Sequence, residues 1–193
     1  MTDTYMEENL QILQDCEAVL QGHFLLSSGR HSDGYAQCAK LLMYPDKAAQ
    51  VLSGVVRKLK ELKIDKVIGP AMGGIIVAYE IGRQLGVPAM FTERENDVMT
   101  LRRGFTVEKG DRILITEDVI TTGKSSLETI EALKDFGVEI VGLAAIVDRR
   151  NGADFPYPVY AALEFNVTSY TPEECPLCKK GLPLVKPCSR KKF

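Results

Sequence analysis

The chain has 193 residues, 24 Lys+Arg against 26 Asp+Glu for a net charge of −2, and a hydrophobic content of 45%. Such a length buries about 70% of the unfolded surface without help from disulfides or metal, and balanced charge gives no global field for nucleic acid. The composition excludes disordered and fibrous classes, and the longest near-apolar run, Ile140 to Val147, is far below the roughly 18 residues of a membrane span. The acidic start MTDTYMEEN carries no signal-peptide pattern, and the five cysteines are an odd number. Both features lead us to expect reduced thiols and a cytoplasmic protein.

In chain order, Met6, Leu10, Leu13 and Leu20 share one stripe, which predicts a helix over the first twenty residues with Gly22 as its stop. His23 to Lys40 break that period with Ser, Gly and Asp, and read as short strands and loops. Pro45 and Asp46 open a second helix, Lys47 to Leu62, whose apolar face is Val51, Leu52, Val55, Val56 and Leu59. From Lys66 short β-rich runs alternate with helices. KVIGP is a strand, Ile75 to Leu85 a helix ended by Gly86, and VPAMFT a strand. RILIT is a strand, Ser125 to Phe136 a helix ended by Gly137, and EIVGLAAIVD a long buried strand. This order predicts an α/β fold, a mostly parallel central sheet with helices on both faces. The polar stretch between Glu93 and Asp111 is too long for a plain connector and reads as a functional loop.

The segment RILITEDVITTGKSS is the most informative. An apolar strand delivers Glu117 and Asp118 at its carboxyl end, then Val119 and Ile120 lead into Thr121, Thr122, Gly123, Lys124 and Ser125, where a helix begins. Backbone N–H groups of such a turn, with the positive end of the helix dipole, form an anion site. The hydroxyls of Thr121, Thr122 and Ser125 add donors, and Gly123 allows close approach to a phosphate. The carboxylates, one turn away, are placed to accept hydrogen bonds from vicinal hydroxyls such as those of a ribose. Gly123-Lys124-Ser125 matches the end of a nucleoside-triphosphate loop, but the glycine required five residues earlier is Asp118, so that reading fails. A plain strand-to-helix turn explains the glycine and the caps but not the adjacent acids followed by two threonines.

ILITEDVITTGKS resembles the phosphoribosyl-diphosphate (PRPP) signature of type I phosphoribosyltransferases. FLLSSGRHSDGY, Phe24 to Tyr35, resembles the base-covering segment of the orotate branch of that family. GPAMGG, with Met72 and Gly73, looks like its diphosphate loop, and Asp148-Arg149 matches the pair whose arginine holds the orotate carboxylate. The resemblance implies one phosphoribosyltransferase domain over residues 1–193. Residues 1–45 would contribute the N-terminal helix and hood, 66–165 the core sheet, and 172–193 a Pro/Lys/Cys-rich tail. It also implies Mg²⁺-assisted transfer from PRPP to orotate, with Mg²⁺ held mainly by PRPP rather than by a protein cage.

In that reading Glu117 and Asp118 hold the ribose, Thr121 to Ser125 the 5′-phosphate, and Arg149, together with Thr121, the base. Better-known members carry lysine where this chain has Ser27 and Gly73, and a histidine in the loop where this chain has none. Leaving-group neutralisation then falls to Arg94, Arg102 and Arg103, backbone amides and Mg²⁺. The resemblance further implies a homodimer whose loop arginines act in the neighbouring site, with no nucleic-acid or membrane partner. Two alternatives keep the fold: a phosphoribosyltransferase for a purine base, or a non-catalytic PRPP-sensing regulator. Against the regulator stand the net charge of −2 and the lack of about sixty spare residues for a helix-turn-helix.

His23 and His31 show no ligand spacing and read as structural or solvent-facing. Cys175-x-x-Cys178, with Cys188 beyond, has the look of a zinc knuckle. With three thiolates and no histidine near in sequence, reduced tail thiols are the simpler reading.

Overall fold

The computed structural model describes residues 2–26 and 28–187. Helix α1 (Thr2–Asp15) stops earlier than its apolar stripe suggests. Glu17 adopts a left-handed φ of 54° and the Ala18 amide donates to the Leu13 carbonyl at 2.8 Å, reversing the chain. Leu20 and Gly22 therefore lie in strand β1 (Val19–Leu25), not in a helix. Strand β2 (His31–Ala36) returns antiparallel to it, and a short helix α2 (Ala39–Leu42) follows. Helix α3 (Pro45–Leu59), with Pro in its first turn, buries the expected face of Val51, Leu52, Val55, Val56 and Leu59.

The next elements are β3 (Lys66–Pro70), α4 (Gly73–Leu85), β4 (Ala89–Glu95), β5 (Val98–Leu101) and β6 (Arg112–Ile120). Then come α5 (Lys124–Leu133), β7 (Glu139–Asp148), β8 (Val159–Glu164), β9 (Ser169–Tyr170) and α6 (Pro176–Lys179). Gly86 and Gly137 end their helical segments in left-handed conformations, φ 74° and 68°, as glycine does most readily. Six strands form one sheet in the order β5-β4-β3-β6-β7-β8, parallel except for the β4–β5 pair.

Period-two alternation divides the core between the two faces of this sheet. Val67, Leu114, Ala144 and Ile146 pack with α1, α3 and α4, while Ile68, Ile113, Ile115, Leu143 and Ala145 pack with Leu133 of α5. A second sheet, β1-β2-β9, holds the segment read above as the hood.

The polar stretch after Glu93 is not all loop: β4 and β5 make a hairpin, with Arg94 opposite Met99 and Glu95 opposite Val98. Asn96 and Asp97 carry φ values of 50° and 65°. That is the geometry of a tight two-residue hairpin turn, which Asn and Asp tolerate. The histidines are neither isolated nor solvent-facing: both are buried, and His23 Nε2 lies 2.9 Å from His31 Nδ1.

Candidate functional site

The carboxyl ends of β3, β6 and β7 are neighbours along one edge of the sheet, β6 and β7 ending together at Ile120 and Asp148 beyond the end of β3, where open α/β sheets form their binding crevices. Strand β6 is longer than RILIT and carries Glu117 and Asp118 within it, half-buried. Glu117 is pushed up to about 8, first by burial and then by the neighbouring Asp118. The two acids thus sit where water is scarce and a hydroxyl donor or a cation would be welcome.

Gly73, at the start of α4, faces Asp118. A Cβ at Gly73 would come within 2.5 Å of Asp118 Oδ2, so glycine is what lets the β3–α4 turn close on the acidic pair. Met72 beside it is largely exposed. The geometry thus joins the two segments GPAMGG and ITEDVITTGKS at one place.

Beyond the acids, Glu117, Val119, Ile120, Thr121, Thr122, Gly123, Lys124 and Ser125 line a cleft of about 190 Å³. Gly123 has φ 71° and caps α5, whose first turn its carbonyl closes through the Leu127 amide at 2.9 Å. A Cβ there would also strike the ring of Phe155. The first-turn amides of α5 have no helical acceptor and open on this cleft, as an anion requires.

Arg149 follows β7 directly, and its amide donates to the Ile120 carbonyl at 2.8 Å, tying it to the start of the Thr121–Ser125 turn. Its Nε is buried with no hydrogen-bond partner. Burial pulls the guanidinium below its ordinary range, partly offset by Tyr35 and Cys38 of the hood segment. Buried Cys38 feels Asp118, Arg149 and Glu117 in turn, and burial foremost holds its thiol well above the usual range. The hood, the acids and Arg149 therefore share one neighbourhood.

Sequence reasoning missed Arg150. Asp148 pairs with Arg150 rather than Arg149, through Nη2 at 2.8 Å and Nε at 3.1 Å, and Arg150 also lies over the Phe155 ring. This clamp shapes the turn that sets Phe155 on Gly123. An Asp-Arg-Arg run alone does not say which arginine the aspartate takes.

The three loop arginines are not brought to the cleft. Arg94 pairs with Glu128, Arg102 with Glu95 at 3.2 Å, and Arg103 with Glu93 at 2.8 Å. They lie on β4 and just after β5, two and three strands from β6, or roughly 10–14 Å at ordinary strand spacing. Ser27, where relatives were expected to carry lysine, lies outside the described residues.

The phosphoribosyl transferase domain family is matched over residues 43–170. This chain belongs to the phosphoribosyltransferases. An orotate phosphoribosyltransferase of Caldanaerobacter subterraneus subsp. tengcongensis is 52% identical over 96% of this chain and 98% of its own. Among solved structures, the orotate phosphoribosyltransferase of Aeropyrum pernix shares 26% identity at a TM-score of 0.69, covering 80% of this phosphoribosyltransferase and 92% of that chain. The UMP synthase of Leishmania donovani shares 27% identity at a TM-score of 0.66 over 82% of this chain. This phosphoribosyltransferase spans only 35% of that longer enzyme.

Proposed function

We infer that the chain transfers the 5-phosphoribosyl group from PRPP to orotate, giving orotidine 5′-monophosphate and diphosphate. One observation carries the choice of base: a half-buried guanidinium whose Nε is buried and unpartnered, just past the carboxyl end of β7 and within the field of Tyr35 and Cys38. A planar guanidinium suits a carboxylate-bearing ring. Adenine and hypoxanthine carry no such group.

The turn Thr121 to Ser125 takes the 5′-phosphate, and Glu117 and Asp118 accept hydrogen bonds from the ribose hydroxyls. The amides around Met72 and Gly73 face the diphosphate. Displacement at C1 then needs positioning and charge stabilisation rather than a covalent nucleophile. Mg²⁺ suits the donor set, because two carboxyl groups in a half-buried crevice are hard oxygen ligands seeking a cation. Glu117 and Asp118 would hold its water ligands while PRPP supplies most of its coordination. When bound it neutralises charge on the departing diphosphate. Soluble phosphorylated substrates suit a cytoplasmic enzyme, and among the described residues no helix is long and apolar enough to cross a membrane.

The test is an ultraviolet assay with PRPP and Mg²⁺ offering orotate beside adenine, hypoxanthine, xanthine and uracil. Consumption of orotate alone is expected. Turnover of a purine with orotate untouched would move the chain to the purine branch, and binding of PRPP with no turnover of any base would make it a sensor.

The distance of Arg94, Arg102 and Arg103 from β6, on the β4–β5 side of the sheet, favours their use outside their own site. We place them in the partner's site of a two-fold homodimer, the commonest closed assembly. A variant with all three changed to Ala and a second with Glu117 and Asp118 changed to Ala should each be inactive. Refolded together they should recover up to about a quarter of parent activity, since half the dimers are mixed and each has one sound site. Mixtures as inactive as either variant would overturn the assignment.

A further inference from the structure

Far along the chain from the acidic pair, four metal-ligating side chains converge where the tail meets the hood. His23 on β1 and His31 on β2 sit diagonally on one face of the hairpin, since Phe24 pairs with Ser32 and Leu25 with His31. Cys175 caps α6 and Cys178 lies within it, so the C-x-x-C turn points both sulfurs the same way. The tail then runs back along β1, with the Val185 amide on the His23 carbonyl and the Leu25 amide on the Val185 carbonyl, each at 2.8 Å. His23, His31 and Cys175 are buried, while Cys178 stands at the surface.

The donor atoms lie near the spacing a tetrahedral ion imposes, with the two imidazole nitrogens somewhat closer together. His23 Nε2 lies 2.9 Å from His31 Nδ1, 3.5 Å from Cys175 Sγ and 3.6 Å from Cys178 Sγ. Cys178 Sγ lies 3.3 Å from His31 Nδ1, and all four atoms fall within 4.8 Å of one another. A tetrahedron with metal–nitrogen bonds of about 2.0 Å and metal–sulfur bonds of about 2.3 Å has edges of roughly 3.3–3.8 Å. The outer shell agrees. His23 Nδ1 is 2.9 Å from the Leu182 carbonyl, an acceptor only, so this nitrogen carries the proton and Nε2 presents a bare lone pair inward.

We propose that His23, His31, Cys175 and Cys178 bind a structural Zn²⁺ that pins the C-terminal segment to the hood. The mixed nitrogen and thiolate set selects a borderline-soft tetrahedral cation over Mg²⁺ or Ca²⁺. Binding forms two metal–thiolate bonds and two metal–imidazole bonds, and the two thiol protons pass to buffer. Two thiolates cancel the charge of the ion, which makes the largely buried centre neutral. A hydrogen-bonded cluster without metal uses these groups poorly, because thiols are weak donors and two of them crowd one imidazole lone pair. Cys188, the third thiol of the sequence reading, is not needed and lies outside the described residues. No residue lining the cleft of Glu117 and Thr121 to Ser125 is a ligand, so the centre is structural.

The experiment uses the full chain, produced with zinc in the medium, dialysed, and analysed for metal by mass spectrometry. About one zinc per chain is expected. Replacement by Co²⁺ should give the strong visible bands of a tetrahedral site and thiolate-to-metal charge transfer in the near ultraviolet. Cys178→Ser, at the exposed ligand, should lose most of the metal and the charge-transfer intensity, and Cys188→Ser should lose neither. Treatment with a chelator should lower the melting temperature of the parent and leave that of Cys178→Ser unmoved. Parent protein with less than about a tenth of a zinc per chain and no charge-transfer band with Co²⁺ would overturn the proposal. So would a Cys175–Cys178 disulfide in metal-free parent protein, or full zinc in Cys178→Ser. The Co²⁺ spectra of the parent and Cys188→Ser decide the matter even if Cys178→Ser fails to fold.

Discussion

Glu117→Ala with Asp118→Ala should lower kcat/KM for PRPP by roughly a hundred- to ten-thousand-fold. Above about pH 8, where Glu117 is ionised, each carboxylate offers the ribose a charge-assisted hydrogen bond worth about 1.5–3 kcal/mol, and two together make about 3–6 kcal/mol, at about 1.4 kcal/mol per factor of ten. The fold should survive, because both side chains stand half-buried at a crevice rather than in the core. Isothermal titration with PRPP and a thermal melt separate the two effects. Parent-like turnover by the double variant would remove the acids from the site. The pair also sets a pH signature. Burial and Asp118 raise the Glu117 carboxyl from 4.5 to about 8, so the folded state binds this proton more tightly than the unfolded chain does. Its contribution to stability is fully present below pH 4.5 and lost as pH rises through 8. Melts of the parent should therefore fall over that interval more steeply than those of Glu117→Gln, which has no proton to lose.

What the sequence made legible follows its local periodicity. KVIGP and EIVGLAAIVD are apolar apart from their charged end residues because both faces of their strands are covered, and β3 and β7 keep those bounds. Helix α4 and its glycine stop were equally plain. The β4–β5 hairpin was hidden because an edge strand need not alternate apolar with polar residues. Arg94 and Glu95 follow the apolar part of β4 and read as loop, and the Asn96-Asp97 turn between the two strands went unread.

The acidic pair and the phosphate turn were legible because they lie within one strand-turn-helix unit. The cluster of His23, His31, Cys175 and Cys178 was not, since about 150 residues separate the histidines from the cysteines and only the tail's return along β1 joins them. The ring of Phe155 on Gly123 has the same origin. It depends on Arg150 rather than Arg149 turning back to Asp148, a choice made by packing.

That choice leaves Arg149 free for a ligand, and Arg149→Leu should separate the substrates. A bidentate guanidinium removed from a desolvated carboxylate costs on the order of 2–5 kcal/mol, or roughly 30- to 5,000-fold in orotate affinity. PRPP binding should change little, because the phosphate turn and the acids are untouched. Stability should hold or rise: the side chain is half-buried with its Nε buried and unpartnered, and leucine removes a partly desolvated charge while keeping most of the bulk. Arg149→Lys should restore little, since an ammonium cannot present two parallel donors to a carboxylate. Steady-state KM values for both substrates, read beside a thermal melt, check the assignment. Equal losses for orotate and PRPP with a lowered melting temperature would show that Arg149 holds the β6–β7 end together instead of the base. A large orotate defect in a protein that melts no lower than the parent would place the carboxylate on this guanidinium.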